Sequence, residues 1–369
     1  MRSSRGNNVS LGNTRERVRH RNIIHAFSGL LMSIMLGWMK RLPKTRITVR
    51  SYSLSNGFST LSTVDNIAGP IEDVDLEEFR QRAFIPATPI VIRITDSTVP
   101  SSSKTSPSHK SLPAAEKWFR HEPWHRTTGY LSQFRDTILP YELIIDSKGK
   151  HLQEYINWAQ ADSNAGSQEL AAFLAQLLSQ SKYQTFHRFS APLSLFLEAC
   201  RATPSSIIPP RLYVAQAQIV DLPKQLRDDL PTPRIVKEAG KGDIYDANIW
   251  MGIPPTYTPL HRDPNPNLFV QLASSKRVRL FGPDIGSAIF RDVQQRIGQY
   301  GSASFRGDEM MAGPERDVLD EVVWGNDVNG EGLEAVVAPG DALFIPKGWW
   351  HSIKSVGSDV TASVNWWFR

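Results

Sequence analysis

A single cysteine, Cys200, stands in a chain of 369 residues. No internal disulfide can hold such a fold, so a small secreted disulfide scaffold is excluded and a reducing compartment (cytosol, nucleus or mitochondrial matrix) is favoured. Following the apolar Leu195-Phe196-Leu197, Cys200 reads as a packed core thiol. Long apolar runs are scarce too. Ile23 to Trp38 is a mostly apolar stretch of sixteen residues containing His25, short of the roughly 20 that a membrane-crossing helix needs, and no membrane span is expected. Histidine is thin in the second half, where only His261 and His351 of the nine occur after residue 200. What remains is globular composition, 40% hydrophobic with 10 Trp and 16 Phe, enough to bury the core of one large domain or two modest ones.

The net charge of +5 is unevenly spread. Residues 1–50 hold nine Arg and two Lys against one acid, Glu16, so the remaining 31 basic residues face 36 acids. A mildly acidic body gives no electrostatic footprint for stable nucleic-acid binding. The Arg- and Ser-rich, acid-poor leader, residues 1–52, has the composition of a mitochondrial presequence. Arg50-Ser51-Tyr52-Ser53 fits a matrix-processing site cut after the aromatic residue. Mitochondrial import is therefore the expected localisation, with cytoplasm or nucleus as the alternative. Met39 is a second possible start, giving Met39-Lys40-Arg41-Leu42-Pro43-Lys44 as a shorter basic leader.

Residues 53–208 read as a helical region carrying the first strands of the fold. Asp73 to Arg82 has acids near its start and suits a short helix, and Ile90-Val91-Ile92-Arg93 suits a buried strand. Ser97 to Pro113 is Ser/Pro/Lys-rich and reads as a solvated loop. From Ala114 to Cys200 the pattern is mainly helical, clearest in the apolar stripe of Gln168 to Leu178. In this stretch His109, His121, His125, His151 and His187 show no ligand spacing. Residues 209–369 change to short strands punctuated by Gly, Pro and Asn. Candidates are Leu212 to Ile219, Ile244 to Gly252, Thr258 to Asp263, Leu268 to Leu272, Arg277 to Phe281, Glu334 to Val337, Ala342 to Ile345 and Val360 to Trp367. Such spacing indicates a sandwich or barrel. Gly301 to Gly332 is expected to be an irregular insertion. It overlaps a stretch, Arg306 to Glu334, with nine acids against two Arg, which reads as a solvated acidic loop or as a lid favouring a basic partner.

His261-Arg262-Asp263 carries the chemistry. A His and a carboxylate at i and i+2 of a strand share a face. His351, in Trp349-Trp350-His351, supplies a second imidazole from a distant strand. Two His and one carboxylate form a facial triad that leaves three coordination positions open for O2 and a co-substrate, the arrangement of non-haem Fe(II) oxygenases.

The surrounding text strengthens the reading: Thr258-Pro259-Leu260-His261-Arg262-Asp263-Pro264-Asn265-Pro266-Asn267, then Lys276-Arg277-Val278-Arg279-Leu280, Pro339-Gly340-Asp341-Ala342-Leu343-Phe344-Ile345-Pro346, and Asn365-Trp366-Trp367. Together these resemble the JmjC/cupin-like 2-oxoglutarate oxygenases. The nearest likeness is to the asparaginyl hydroxylase that inhibits hypoxia-inducible factor, with tRNA-wybutosine hydroxylase and small JmjC protein hydroxylases nearby. Phe84, Pro89 to Arg93, and Ile249-Trp250-Met251-Gly252 match as well, so the likeness runs from Phe84 to Arg369 and is weak over the helical middle. It implies a mainly β fold with a helical N-terminal half and a double-stranded β-helix (jelly-roll or cupin) core. It also implies Fe(II) at His261, Asp263 and His351, with 2-oxoglutarate and O2 as co-substrates. Lys276 sits where the subgroup places the cation for the far carboxylate of 2-oxoglutarate, and Tyr213 and Thr258 match its hydroxyl donors. Asn267 and Asn365 match amides lining the co-substrate, and Trp367 the aromatic wall. Thr258 precedes His261 by three, so strict alternation puts it on the opposite face and a local bend must bring it inward. Lys276 beside Arg277 and Arg279 has the alternative reading of a solvated strand charge, and Tyr213 that of a core residue. Trp349, Trp350 and Trp366 read as packing, and Gly340-Asp341 as a turn.

The resemblance favours hydroxylation of a protein side chain. JmjC-type lysine demethylation and tRNA or small-molecule hydroxylation are the alternative activities, and a non-catalytic cupin binding module is the alternative class. No zinc-cluster or chromatin-reader segment accompanies the motif, which turns the sequence reading away from demethylation. A protein or peptide substrate, basic if the acidic stretch meets it, is the expected partner; the oligomeric state stays open. If the leader directs import, N-terminal sequencing of the mitochondrial protein reads Ser53 first, whereas a full-length protein filling the nucleus contradicts import.

Overall fold

Short runs of β-branched and aromatic residues between Gly, Pro and Asn form fourteen strands among the described residues. The computed structural model describes residues 61–94, 111–119, 127–146, 149–180, 185–298, 312–325 and 331–369. The basic leader, the stretch from Ser97 to Lys110, and residues 301–311 and 326–330 of the expected insertion lie outside them. In chain order the strands are β1 Ser62–Thr63, β2 Asn66–Ala68, β3 Ile90–Arg93, β4 Ile138–Ile144, β5 Phe186–Pro192, β6 Arg211–Gln218 and β7 Ile244–Gly252. They continue with β8 Tyr257–Arg262, β9 Asn267–Ala273, β10 Ser275–Phe281, β11 Leu333–Val337, β12 Ala342–Ile345, β13 Trp350–Val356 and β14 Thr361–Phe368.

Two sheets result. One has five strands, ordered β1-β11-β10-β13-β8, and the other nine, ordered β2-β3-β12-β9-β14-β7-β6-β4-β5. Strands far apart in sequence are neighbours, and successive strands β7/β8, β8/β9 and β11/β12 switch sheets. This is the jelly-roll, or double-stranded β-helix, core expected from the sequence. The large sheet buries one face, with Leu143, Leu212, Val214, Ile249, Met251, Val270 and Val364, under helical residues such as Tyr155, Leu174 and Phe196. At one end of the space between the sheets, Val91, Phe269, Val278, Leu280, Val337 and Leu343 form an apolar plug.

The sequence outline needs three revisions. Two seven-residue strands, β4 and β5, interrupt the stretch read as mainly helical. Their alternation is concealed because β4 is buried at Leu139, Tyr141, Glu142 and Leu143 together. Within the expected irregular insertion, Pro314–Trp324 is a helix, buried through Leu319 and Val323. Strand β13 was not delimited in advance, because Trp350-His351-Ser352 are buried in succession and leave no period-two signal. The helix Ala165–Gln180 and strand β3 stand where expected. The expected join at 208–209 falls inside the compact unit Phe58–Arg369. Cys200 is buried. Among the described residues no helix is long and apolar enough to cross a membrane.

Helix Pro283–Ile297 backs the five-stranded sheet, and its Gly286 lies on Trp350. A Cβ on Gly286 would stand 2.2 Å from the Trp350 ring. Gly-to-Ala in a helix interior normally gains up to about 1 kcal/mol, but overpacking a core costs typically 1–3 kcal/mol, and here the collision wins. Gly286→Ala is expected to lower the melting temperature and to weaken Mn(II) binding by shifting His351. An unchanged or raised melting temperature would show that helix and strand do not pack in this way.

Candidate active site

The edge strand β8 carries His261 and ends one residue before Asp263. Its neighbour β13 carries His351 directly opposite His261. The two imidazole centroids are 4.2 Å apart. Each ring is turned by a main-chain carbonyl near its Nδ1: Pro259 O at 2.9 Å for His261 and Trp349 O at 3.4 Å for His351. That arrangement leaves Nε2 as the inward ligand atom. The His261 Nε2 lies 4.0 Å from Asp263 Oδ1, and the His351 Nε2 lies 3.6 Å from Asp263 Oδ2. Asn267, the first residue of β9, donates to Asp263 Oδ2 at 2.9 Å. Burial pushes the Asp263 carboxyl up, yet the His351 and His261 imidazoles, with the nearby Trp367 indole and the hydrogen bond from Asn267, hold it below the ordinary carboxylate range.

One ligand atom from each of His261, Asp263 and His351 falls within 4.8 Å of the others. Metal–ligand bonds of about 2 Å span such separations. The donor set, two imidazoles and a carboxylate on one side, fits Fe(II) with positions left open. The amide oxygen of Asn267 is buried and has no hydrogen-bond partner among the described residues, a further acceptor beside the triad for a ligand or water to satisfy.

The triad opens into a cavity of about 790 Å³. Thr258, Lys276, Tyr213, Asn267, Asn365 and Trp367 all line it, so the residues singled out from sequence converge on one space. The bend required for Thr258 is present. Between His351 and Ile353 the β8–β13 register slips, with three residues of β8 spanning two of β13. This bulge turns Thr258 and His261 to the same side.

Lys276 is buried, 2% exposed, which removes the reading of a solvated strand charge. On β10 it alternates inward with Val278 and Leu280, while Arg277 and Arg279 face outward and pair with Glu334. Its ammonium meets the Ser363 hydroxyl at 2.8 Å and the Tyr213 hydroxyl at 3.4 Å. A carboxylate arriving there gains a charge-assisted bond stronger than those to neutral hydroxyls. Gly252 lies behind Tyr213; a Cβ there would stand 2.2 Å from the phenol ring, so only glycine permits this placement.

Two residues of the cavity carry roles that sequence reasoning did not assign. Ser363 is the hydroxyl nearest Lys276, and its period-two spacing with Asn365 and Trp367 was the available signal. Trp250 donates through Nε1 to Asn365 Oδ1 at 2.7 Å and fixes that amide. Trp350 and Trp366 are core residues, whereas Trp349 is half-buried and donates to Ala87 O at 3.0 Å, tying the segment before β3 to the start of β13. Asp341 forms a turn, accepting from Ala338 N–H.

The description "cupin-like domain" matches residues 113–369. The chain is 30% identical over 174 residues to lysine-specific demethylase JMJ30 of Arabidopsis thaliana, covering 47% of this chain and 37% of that protein. It is 27% identical over 158 residues to lysine-specific demethylase 8 of Danio rerio, covering 42% and 36%. With JmjC domain-containing protein F of Dictyostelium discoideum the identity is 23% over 269 residues, 69% and 55% of the two chains. The chain thus spans less than two-fifths of the first two of these relatives and about half of the third.

Proposed function

The chain belongs to the cupin-like domain family, and from that premise we propose that it is an Fe(II)- and 2-oxoglutarate-dependent dioxygenase that demethylates lysyl side chains of a protein. The observation that carries the oxygenase reading is the convergence of the triad and the buried Lys276 on one cavity. The demethylase reading is supported by the names of the relatives and by the cavity wall. Glu142 and Asp246 lie along it, with Tyr245, Trp250 and Trp367. Acids and aromatic faces suit a methylated ammonium, which keeps its charge and is attracted to a ring quadrupole.

His261, Asp263 and His351 would hold the metal, and Lys276, Tyr213, Ser363 and Thr258 the far carboxylate of 2-oxoglutarate. Bound together with O2, the metal and co-substrate supply the oxidant for C–H hydroxylation, 2-oxoglutarate leaving as succinate and CO2. Asn267 holds the Asp263 carboxylate in place, and Trp250 orients the Asn365 amide beside the co-substrate. Trp367 and Phe269 close the wall and exclude water. A substrate methyl hydroxylated on carbon becomes a carbinolamine; its C–N bond breaks, formaldehyde leaves and the hydroxyl proton passes to the amine nitrogen.

Hydroxylation of a ring or chain carbon on a protein is the second reading. The grouping of Lys276, Tyr213 and Thr258 favours it, since these are the residues that carry the likeness to the asparaginyl hydroxylase. The two readings differ in product. Incubation with Fe(II), 2-oxoglutarate and methyl-lysyl peptides is expected to give formaldehyde and a loss of 14 Da per methyl. A gain of 16 Da without formaldehyde assigns hydroxylation and contradicts demethylation. His351→Ala should give neither product nor succinate.

A further inference from the structure

The helix Pro314–Trp324 shares an apolar cluster, through Leu319 and Val323, with Leu260 and Trp350, the residues just before the two histidine ligands. Polar contacts hold its last turn to the strands. Arg279 of β10 donates to Val323 O at 2.7 Å, and Lys354 of β13 pairs with Asp320. The Arg279 guanidinium stands 4.7 Å from the centre of the Trp324 ring and the Lys354 ammonium 5.1 Å, within the range at which an aromatic face attracts a cation. Trp324, the final residue of the helix, is held between them, and its indole N–H reaches β13.

There Trp324 Nε1 donates to Ser352 Oγ at 2.8 Å, and Ser352 Oγ donates to Thr258 O at 2.9 Å. Ser352 is fully buried. A hydroxyl has one proton and two lone pairs. With the indole on its oxygen, the Ser352 proton is left for the Thr258 carbonyl, and hydrogen bonds in such a chain strengthen one another. The end of the chain is the bulge, where three residues of β8 span two of β13. Pro259, inside it, has no N–H to give the ladder. The Ser352 hydroxyl thus supplies a side-chain tie beside a missing backbone one. Holding the Thr258 carbonyl fixes that peptide plane. Because a β-branched side chain has few rotamers, the plane also sets the aim of the Thr258 hydroxyl, which lines the cavity.

We propose that Trp324 is a positioning residue for the co-substrate, acting through Ser352 on Thr258, so that the insertion helix sets the affinity for the far carboxylate of 2-oxoglutarate. The inference rests on the 2-oxoglutarate reading above. Trp324 is not itself part of the cavity wall. Two of the metal ligands are held by other contacts, Asp263 by Asn267 and His351 by Trp349 O, so the relay bears on the co-substrate more than on the metal.

The test is calorimetry of 2-oxoglutarate binding to the Mn(II)-loaded full chain under nitrogen, with Mn(II) binding measured separately. Trp324→Phe keeps an aromatic ring for Arg279 and Lys354 and removes the N–H donor. It is expected to weaken 2-oxoglutarate binding about threefold to tenfold, the worth of one hydrogen bond, with Mn(II) affinity changed by less than about twofold. Thr258→Val, which removes the hydroxyl itself, should weaken 2-oxoglutarate binding about tenfold or more. Adding Trp324→Phe to it should cost nothing further, because residues acting through one another are not additive. If Trp324→Phe does not fold, Ser352→Ala takes its place in the same cycle with Thr258→Val. Unaltered 2-oxoglutarate affinity in the folded single variant overturns the proposal. An equal loss in the Thr258→Val background does so too, since it marks a general loosening of the pocket, as does a matching loss of Mn(II) affinity. Thr258→Val binding 2-oxoglutarate as tightly as the unsubstituted protein overturns the relay while leaving Lys276 in its role. No binding to the unsubstituted protein overturns the 2-oxoglutarate reading and the relay with it.

Discussion

The pairing of β8 with β13 is the constraint on which the site depends. It sets His261 directly opposite His351, and a three-residue ligand set can assemble only if that register holds. The register is fixed from both sides. Trp350 is packed under the helix Pro283–Ile297 at Gly286, and Ser352 donates to Thr258 O at 2.9 Å. A slip of either strand by one residue would turn its own imidazole out of the cavity and away from the other. The bulge adjoining this pair is equally specific, since it alone brings Thr258 to the side of His261. Asp263 lies beyond the end of β8 and is positioned by Asn267, so the third ligand depends on β9 of the other sheet.

The interior of the barrel divides into an apolar end and a polar end along the same strands. On β10 Leu280 and Val278 belong to the plug, and Lys276, two residues further, faces the cavity. Burying an ammonium is costly without strong partners. Ser363 and Tyr213 meet that need with hydroxyls, whose oxygens accept from Lys276 while their protons can rotate to donate to a carboxylate. The resulting pocket end is charged and buried, suited to one carboxylate group. The acids and aromatic rings lie along the same cavity wall, and the proposed side-chain chemistry requires both regions at once.

Much of the site was legible because strands write their faces into the sequence with a period of two. His261 with Asp263, Lys276 with Val278 and Leu280, and Asn365 with Trp367 all follow it. The ambiguity of Lys276 arose from reading its neighbours Arg277 and Arg279 as companions, whereas alternation puts them on the opposite face. The missed strands β13 and β4 share one physical cause, burial on both faces. In β13 and β4 consecutive residues are enclosed, so the hydrophobic pattern carries no period. The helix Pro314–Trp324 was hidden by its acids, of which Asp317 and Glu321 are exposed, while Leu319 and Val323 pack inward. The substrate was not legible, because the acids and rings of the cavity wall, Glu142 and Asp246 among them, come from strands distant in sequence, and the proposal of demethylation draws instead on relatives.

The most direct test of a metal centre coupled to a 2-oxoglutarate pocket is Lys276→Ala, measured by calorimetry with Mn(II) in place of iron under nitrogen. Removing one side of a buried charged pair typically costs roughly 2–5 kcal/mol, about thirty-fold to several-thousand-fold in affinity. The expected result is a loss of that order in 2-oxoglutarate affinity, with Mn(II) binding at His261, Asp263 and His351 retained. Unchanged 2-oxoglutarate affinity would contradict the assignment of this pocket end to the co-substrate.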